Sequence, residues 1–256
     1  KTRSLLAITG VYNDRSHRNP TMTDTTSAPK TTELLTWGAK TVATLIVYGL
    51  LLFLIAGRLN WPGGWRFILL GVATQLLSAI LLLPRHGDLI AERSKMQANT
   101  KPWDRLLAPL VSMAGPLAWV VTAALDARFN WSSPVSPWFW IPALAVGLAA
   151  SAFTLWAMIT NRFFAATVRI QAERGQSVVN SGPYRIVRHP GYLGSLVFDL
   201  VAPLILGSWW AYIPVAITMA LIILRTALED RTLQAELPGY AQFARETRFR
   251  LLPGIW

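Results

Sequence analysis

"WGAKTVATLIVYGLLLFLIAGRLNWPGGW", residues 37–65, decides the class of fold. The run Trp37–Ala56 carries one charge, Lys40, close to its start. A helix of about 20 apolar residues rises about 30 Å, the thickness of a bilayer's hydrocarbon core. Arg58 and the turn Asn60-Trp61-Pro62-Gly63-Gly64-Trp65 end it among tryptophans, which favour the membrane–water boundary. Further runs repeat the pattern. Phe67–Leu83 stops at Pro84, and Leu106–Leu125 contains Pro109 and Pro116, which membrane helices tolerate. Trp138–Ile159 follows, and Leu193–Leu206 with Trp210–Leu224 reads as a tight helical hairpin about Gly207-Ser208, its first arm short for a span. The expected fold is an all-α integral membrane protein of about six transmembrane helices, ending in that hairpin.

Composition agrees. Of 256 residues, 53% are hydrophobic and 14% charged, against about 25% charged in soluble domains. The net charge of +11 would point to nucleic acid in a soluble chain, but here its position decides otherwise. With the N-terminus inside, the segments 1–36, 85–105, 161–192 and 225–256 hold twenty of the 24 Lys and Arg, while the outer links hold Arg58, Arg66 and Arg128. The positive-inside rule then places both termini in the cytoplasm. The charge orients the chain and favours anionic lipid; no nucleic-acid partner is expected. With no Cys there is no disulfide, thiolate metal site or Cys nucleophile. His17, His86 and His189 are scattered, so no metal site is expected.

Three regions follow. Residues 1–36 are a polar N-terminal extension; 1–21 read as an upstream addition, because Met22 opens "MTDTTSAPKTTE" and suits a native start. Residues 37–160 read as a transmembrane scaffold of four helices, and 161–256 concentrate the unusual polar residues.

Within that last region stands "SGPYRIVRHPGYLG" (181–194). Gly182-Pro183 and Pro190-Gly191 fix two turns, since Pro locks φ and Gly permits close backbone approach. Arg188 and His189 offer donors, and Tyr184 and Tyr192 offer rings and hydroxyls. A juxtamembrane loop whose arginines meet lipid phosphate would account for the charge equally well. The tail "RTALEDRTLQAELPGYAQFARE" (225–246) shifts the balance. On a helix Arg225 and Glu229 share a face, with Asp230 about 100° round. As a surface pair, Arg225 and Glu229 would contribute a few tenths of a kcal/mol. Two adjacent acids at a membrane border instead fit a pocket for a cation. Asp199, alone in an apolar run, reads as the partner of a nearby Arg or as a helix-packing hydrogen bond.

These two stretches resemble the C-terminal half of the isoprenylcysteine carboxyl methyltransferase family, itself similar to membrane phospholipid N-methyltransferases. The family pattern G-P-Y-x-x-x-R-H-P-x-Y-x-G, then R-x-x-x-E-E and a Gly-Tyr pair, is met by 182–194, Arg225–Asp230 and Gly239-Tyr240. Asp230 replaces the second Glu, keeping the charge and shortening its reach. The resemblance is firm over about 161–256; "LNWPGGW" (59–65) and "PRHGDLIAER" (84–93) more loosely resemble bacterial members.

It implies a methyltransferase of the bacterial inner membrane that uses S-adenosylmethionine on the cytoplasmic side, without a Rossmann domain. It implies a cofactor site of Tyr184, His189, Pro190, Tyr192, Gly194, Glu229 and Asp230. Glu229 and Asp230 would meet the cofactor's ammonium, Arg188 and His189 a carboxylate, and the tyrosines the adenine or ribose. Arg225, Arg188 and Glu229 form the catalytic set, with Arg225 steering the acceptor carboxylate of an isoprenylcysteine-like lipophile that enters from the bilayer. The motifs fit three other readings: a lipid-amine N-methyltransferase with Glu229 or His189 as base, a sterol-reductase-like NADPH enzyme, and a non-catalytic lipid-binding protein.

Overall fold

The computed structural model describes residues 31–82, 89, 97 and 99–256. The readings of 1–21, of Met22 as a start and of "PRHGDLIAER" lie outside the described residues. Helices α1 (Thr31–Ala56), α2 (Pro62–Leu82), α3 (Asp104–Phe129), α4 (Pro137–Thr160), α5 (Pro190–Leu206), α6 (Tyr212–Glu236) and α7 (Tyr240–Glu246) account for most of them. Short 3-10 turns sit at Ala172–Arg174 and Gly182–Arg185. No strand occurs among the described residues. Helices α1, α2, α3, α4 and α6 are long and apolar enough to cross a membrane, whereas α5, with 17 residues, is the short arm expected from sequence.

Helix ends depart from the hydropathy limits in an informative way. Helix α5 starts at Pro190 rather than Leu193, because proline at the first helical position loses no intrahelical bond and is preset in φ. Helix α6 continues past Leu224 to Glu236, so Arg225, Glu229 and Asp230 stand on one unbroken helix. Hydropathy marks where the lipid-facing run stops, not where backbone hydrogen bonding stops. In α3, Pro116 has no N–H to offer, and a π-helical turn at Leu110–Ala114 precedes it and absorbs the mismatch.

One end of the bundle gathers the short links. Asp126, buried at the end of α3, accepts hydrogen bonds from the Ser132 N–H (2.7 Å) and from the Ser208 hydroxyl, tying the α3–α4 link to the α5–α6 turn. Arg128 donates to the Ile55 carbonyl at 3.2 Å. Between the helices a core forms from Leu52 and Ala56 of α1, Trp119 and Val120 of α3, Leu206 of α5 and Val215 of α6. Large apolar side chains also cover the outside, among them Leu54 at 71% and Trp138 at 87% exposure. An apolar exterior over membrane-length helices is what a hydrocarbon solvent requires. The long link 161–189 and the tail 237–256 cluster at the opposite end, and the polar motifs meet there.

Candidate active site

The motif stretch is held by its own turns and by the C-terminal tail. Gly182–Arg185 forms a 3-10 turn that buries Tyr184. The Tyr184 hydroxyl accepts from Asn161 Nδ2 at 3.1 Å and donates to the Ala157 carbonyl at 3.4 Å. Burial drives its pKa well above the ordinary tyrosine value, so it stays neutral. The N–H groups of Arg188 and His189 donate to the carbonyls of Phe249 and Arg250 at 2.9 and 3.0 Å. Residues beyond α7 thus fix the loop that leads into α5.

Asp230 is the hub of this end. Its Oδ1 accepts from Arg188 Nε at 2.7 Å and from the Tyr240 hydroxyl at 3.1 Å, with His189 Nε2 at 3.3 Å. Its Oδ2 accepts from Arg188 Nη2 at 3.0 Å, Arg250 Nε at 2.8 Å and Gln234 Nε2 at 2.8 Å. Arg188 Nη1 donates to the carbonyls of Thr247 (2.8 Å) and Arg248 (2.9 Å). Gly239, at φ 83°, takes the left-handed conformation that turns the chain from α6 into α7 and presents Tyr240 to Asp230. Burial first, and then the Asp230 charge, raise the Tyr240 pKa well above its usual value. Asp230 is fully buried and lies behind the cavity wall described below, with both oxygens engaged by protein donors. Asp230 and Arg188 therefore form a clamp, of which Arg188 also borders the cavity described below.

Arg225 is engaged as well. It does not pair with Glu229, as its i,i+4 spacing invites. Its Nε and Nη2 lie 2.7 and 3.0 Å from the two oxygens of Asp104, and Nη2 also donates to the Ala166 carbonyl at 2.9 Å. Asp104 in turn accepts the Val168 N–H at 2.6 Å. The pair is buried on both sides and ties α6 to the foot of α3 and to the 161–189 link. Removing one partner of such a pair strands a buried charge. Arg225→Gln is expected to lower stability by about 3 kcal/mol, and the double variant with Asp104→Asn to recover part of it, as read by thermal melts in detergent. A double variant no more stable than the single one would contradict this account.

A cavity of about 720 Å³ opens beside these clamps. At the motif end its wall includes Tyr184, Arg188, His189, Pro190, Tyr192, Gly194, Arg225 and Glu229. The wall then continues between the helices, past Tyr48, Gln75, Thr154 and Asp199. Glu229 is half-buried and accepts the Tyr192 hydroxyl on Oε2 at 2.6 Å, while its Oε1 accepts no hydrogen bond from a described residue. The His189 and Tyr192 rings stack at 5.9 Å, and the Arg225 guanidinium lies 5.3 Å from the Tyr192 ring centroid. Gly194 has a packing reason for its identity. A Cβ there would come within 2.1 Å of Thr154 Oγ1 and 2.8 Å of the Ala150 carbonyl, so α5 and α4 touch backbone to backbone. Among the described residues no group of three His, Cys, Asp or Glu is placed to hold a metal.

The stretch that bears this wall has a known counterpart. Residues 143–235 match the family model of the isoprenylcysteine carboxyl methyltransferase (ICMT) family. No curated protein matches the chain. The ICMT-family domain begins inside α4 and ends in the last turn of α6, so it takes in the motif loop, the hairpin and the Arg225–Asp230 helix. The chain is thus an integral membrane protein bearing a methyltransferase-family domain.

Three residues that complete the site lie outside the ICMT-family stretch. Asp104 precedes it, and Tyr240 and Arg250 follow it. Sequence reading noted Tyr240 only as half of a Gly-Tyr pair and missed the other two. Asp104 offered one signal, an acid at the very start of an apolar run, where a partner is needed. Arg250 offered none among the arginines of the tail.

Proposed function

We propose that this chain transfers a methyl group from S-adenosylmethionine to the carboxylate of a lipophilic, isoprenylcysteine-like acceptor that enters from the bilayer. The observation that carries the reading is the continuity of the cavity. It runs from a polar end, built by the ICMT-family motifs, into the space between membrane-length helices. Its volume is in the range of small-molecule sites.

Methyltransferases of this family use S-adenosylmethionine in general, and the motif end fits such a group. Glu229 offers an unpartnered carboxylate oxygen to an ammonium, and Tyr184 and Tyr192 offer ring faces. Most Arg188 donors go to Asp230 and backbone carbonyls, and His189 stands beside it on the wall as a further group to meet a carboxylate. Bound here, the cofactor would supply a methyl on a cationic sulfur. The chain's own contribution is alignment and the exclusion of water. An ionised acceptor carboxylate needs no base from the protein. Arg225, held by Asp104, presents its charge to the same wall and biases an anionic head group toward that end.

Calorimetric titration of the purified protein with S-adenosylhomocysteine, run beside NADPH, tests the reading. Micromolar binding of the former alone is expected. Binding of NADPH alone would move the protein to the reductase class, and binding of neither would remove the cofactor assignment.

A further inference from the structure

Asp199 answers to none of the roles its sequence position suggested. It sits in the middle of α5, is 6% exposed, and hydrogen-bonds no described residue. Its side chain instead forms part of the cavity wall. It lies seven residues after Tyr192, two helical turns and about 10 Å deeper on the same face. Tyr192, Ser195 and Asp199 make one stripe along the cavity.

Two other polar side chains of the cavity wall lack partners among the described residues. Tyr48 on α1 and Gln75 on α2 both line the cavity, and neither side chain hydrogen-bonds a described residue. An acid, an amide and a phenol left unsatisfied at membrane depth are costly, and such groups mark sites of binding or transport. An isoprenoid chain alone would satisfy none of them. Nor does the wall supply a counter-charge. Its described cations are Arg169, Arg188 and Arg225, paired with Glu173, Asp230 and Asp104 respectively.

We propose that Asp199, with Tyr48 and Gln75, forms a subsite for a protonated amine carried by the lipophilic acceptor. The proposal rests on the reading of this cavity as the acceptor's site. A carboxylate in a low-dielectric setting stays ionised by meeting a cation, and an ammonium supplies both the charge and donors. The amide oxygen of Gln75 and the phenol of Tyr48 accept its remaining hydrogens. A simple prenyl acid lacks that group and leaves Asp199 unanswered. The acceptor therefore carries an amine besides its carboxylate, seated two turns below Tyr192.

The test uses the full chain in detergent, with matched dodecylamine, dodecanol and dodecanoate as competitors of a fluorescent fatty probe. For the wild type, dodecylamine is expected to bind at least about tenfold tighter than dodecanol. Asp199→Asn keeps the side-chain volume and is expected to erase that preference while leaving dodecanol and S-adenosylhomocysteine binding unchanged. Equal amine and alcohol affinity in the wild type overturns the proposal, as does an amine preference that survives Asp199→Asn. A preference for dodecanol that Asp199→Asn abolishes would assign the subsite to a hydroxyl and overturn the amine. S-adenosylhomocysteine binding is read separately. Its absence, with the amine preference intact, removes the methyl-transfer reading and leaves the subsite standing.

Discussion

Asp230→Ala is expected to lower the stability of the protein by about 5 kcal/mol, the upper range for breaking a buried ion pair. The magnitude follows from the number of groups left behind. Arg188 is almost wholly buried and would keep its charge with only backbone carbonyls as partners. Tyr240, Gln234 and His189 would lose an acceptor at the same moment, and Arg250 its tie to α6. The tail whose Phe249 and Arg250 carbonyls accept the motif loop's N–H groups would detach with it. Thermal melts in detergent read the loss directly. Asp230→Asn retains the shape and one acceptor oxygen and is expected to fall between the two. A variant that melts like the wild type would show that the clamp does not hold this end together.

Much of this arrangement was legible in the sequence, and the limits are physical. The apolar runs gave the long helices because a bilayer imposes length and composition together. The hairpin showed through Gly207-Ser208, where a left-handed glycine at φ 80° closes α5. Placement of the second-half polar residues at one end of the bundle was likewise readable from alternation of the runs. Pairing was not. Arg225 and Glu229 stand at the spacing that favours a helical pair, yet Arg225 turns to Asp104, 121 positions away in sequence. Local spacing cannot rank a neighbour on the same helix against an acid brought in by the fold. The same limit hid the partners of Asp230, read as half of an acidic pair and found among two arginines, a tyrosine and a histidine. Asp199 erred in the other direction. A partner within the protein was expected, and the wall of a cavity was found.

Two neighbouring acids thus part in role, and that separation can be measured. Glu229→Gln is expected to weaken S-adenosylhomocysteine binding by roughly 10³-fold, a loss in the range for removing one member of a buried charge contact. The fold should be spared. Gln matches Glu in size, and its amide oxygen can still accept the Tyr192 hydroxyl now bonded at 2.6 Å. No buried cation is paired directly with Glu229, since Arg225 is held by Asp104 and Arg188 by Asp230. The melting temperature of this variant should therefore match that of the wild type, the reverse of the Asp230→Ala signature. Calorimetry on the two variants separates a carboxylate that faces the ligand from one that holds the wall. Unchanged affinity in Glu229→Gln would remove the proposed ammonium site and leave the proposed cofactor's orientation without an anchor among these residues. A shared loss of stability in both variants would instead make the pair one structural unit, and the division of labour between positions 229 and 230 would fall.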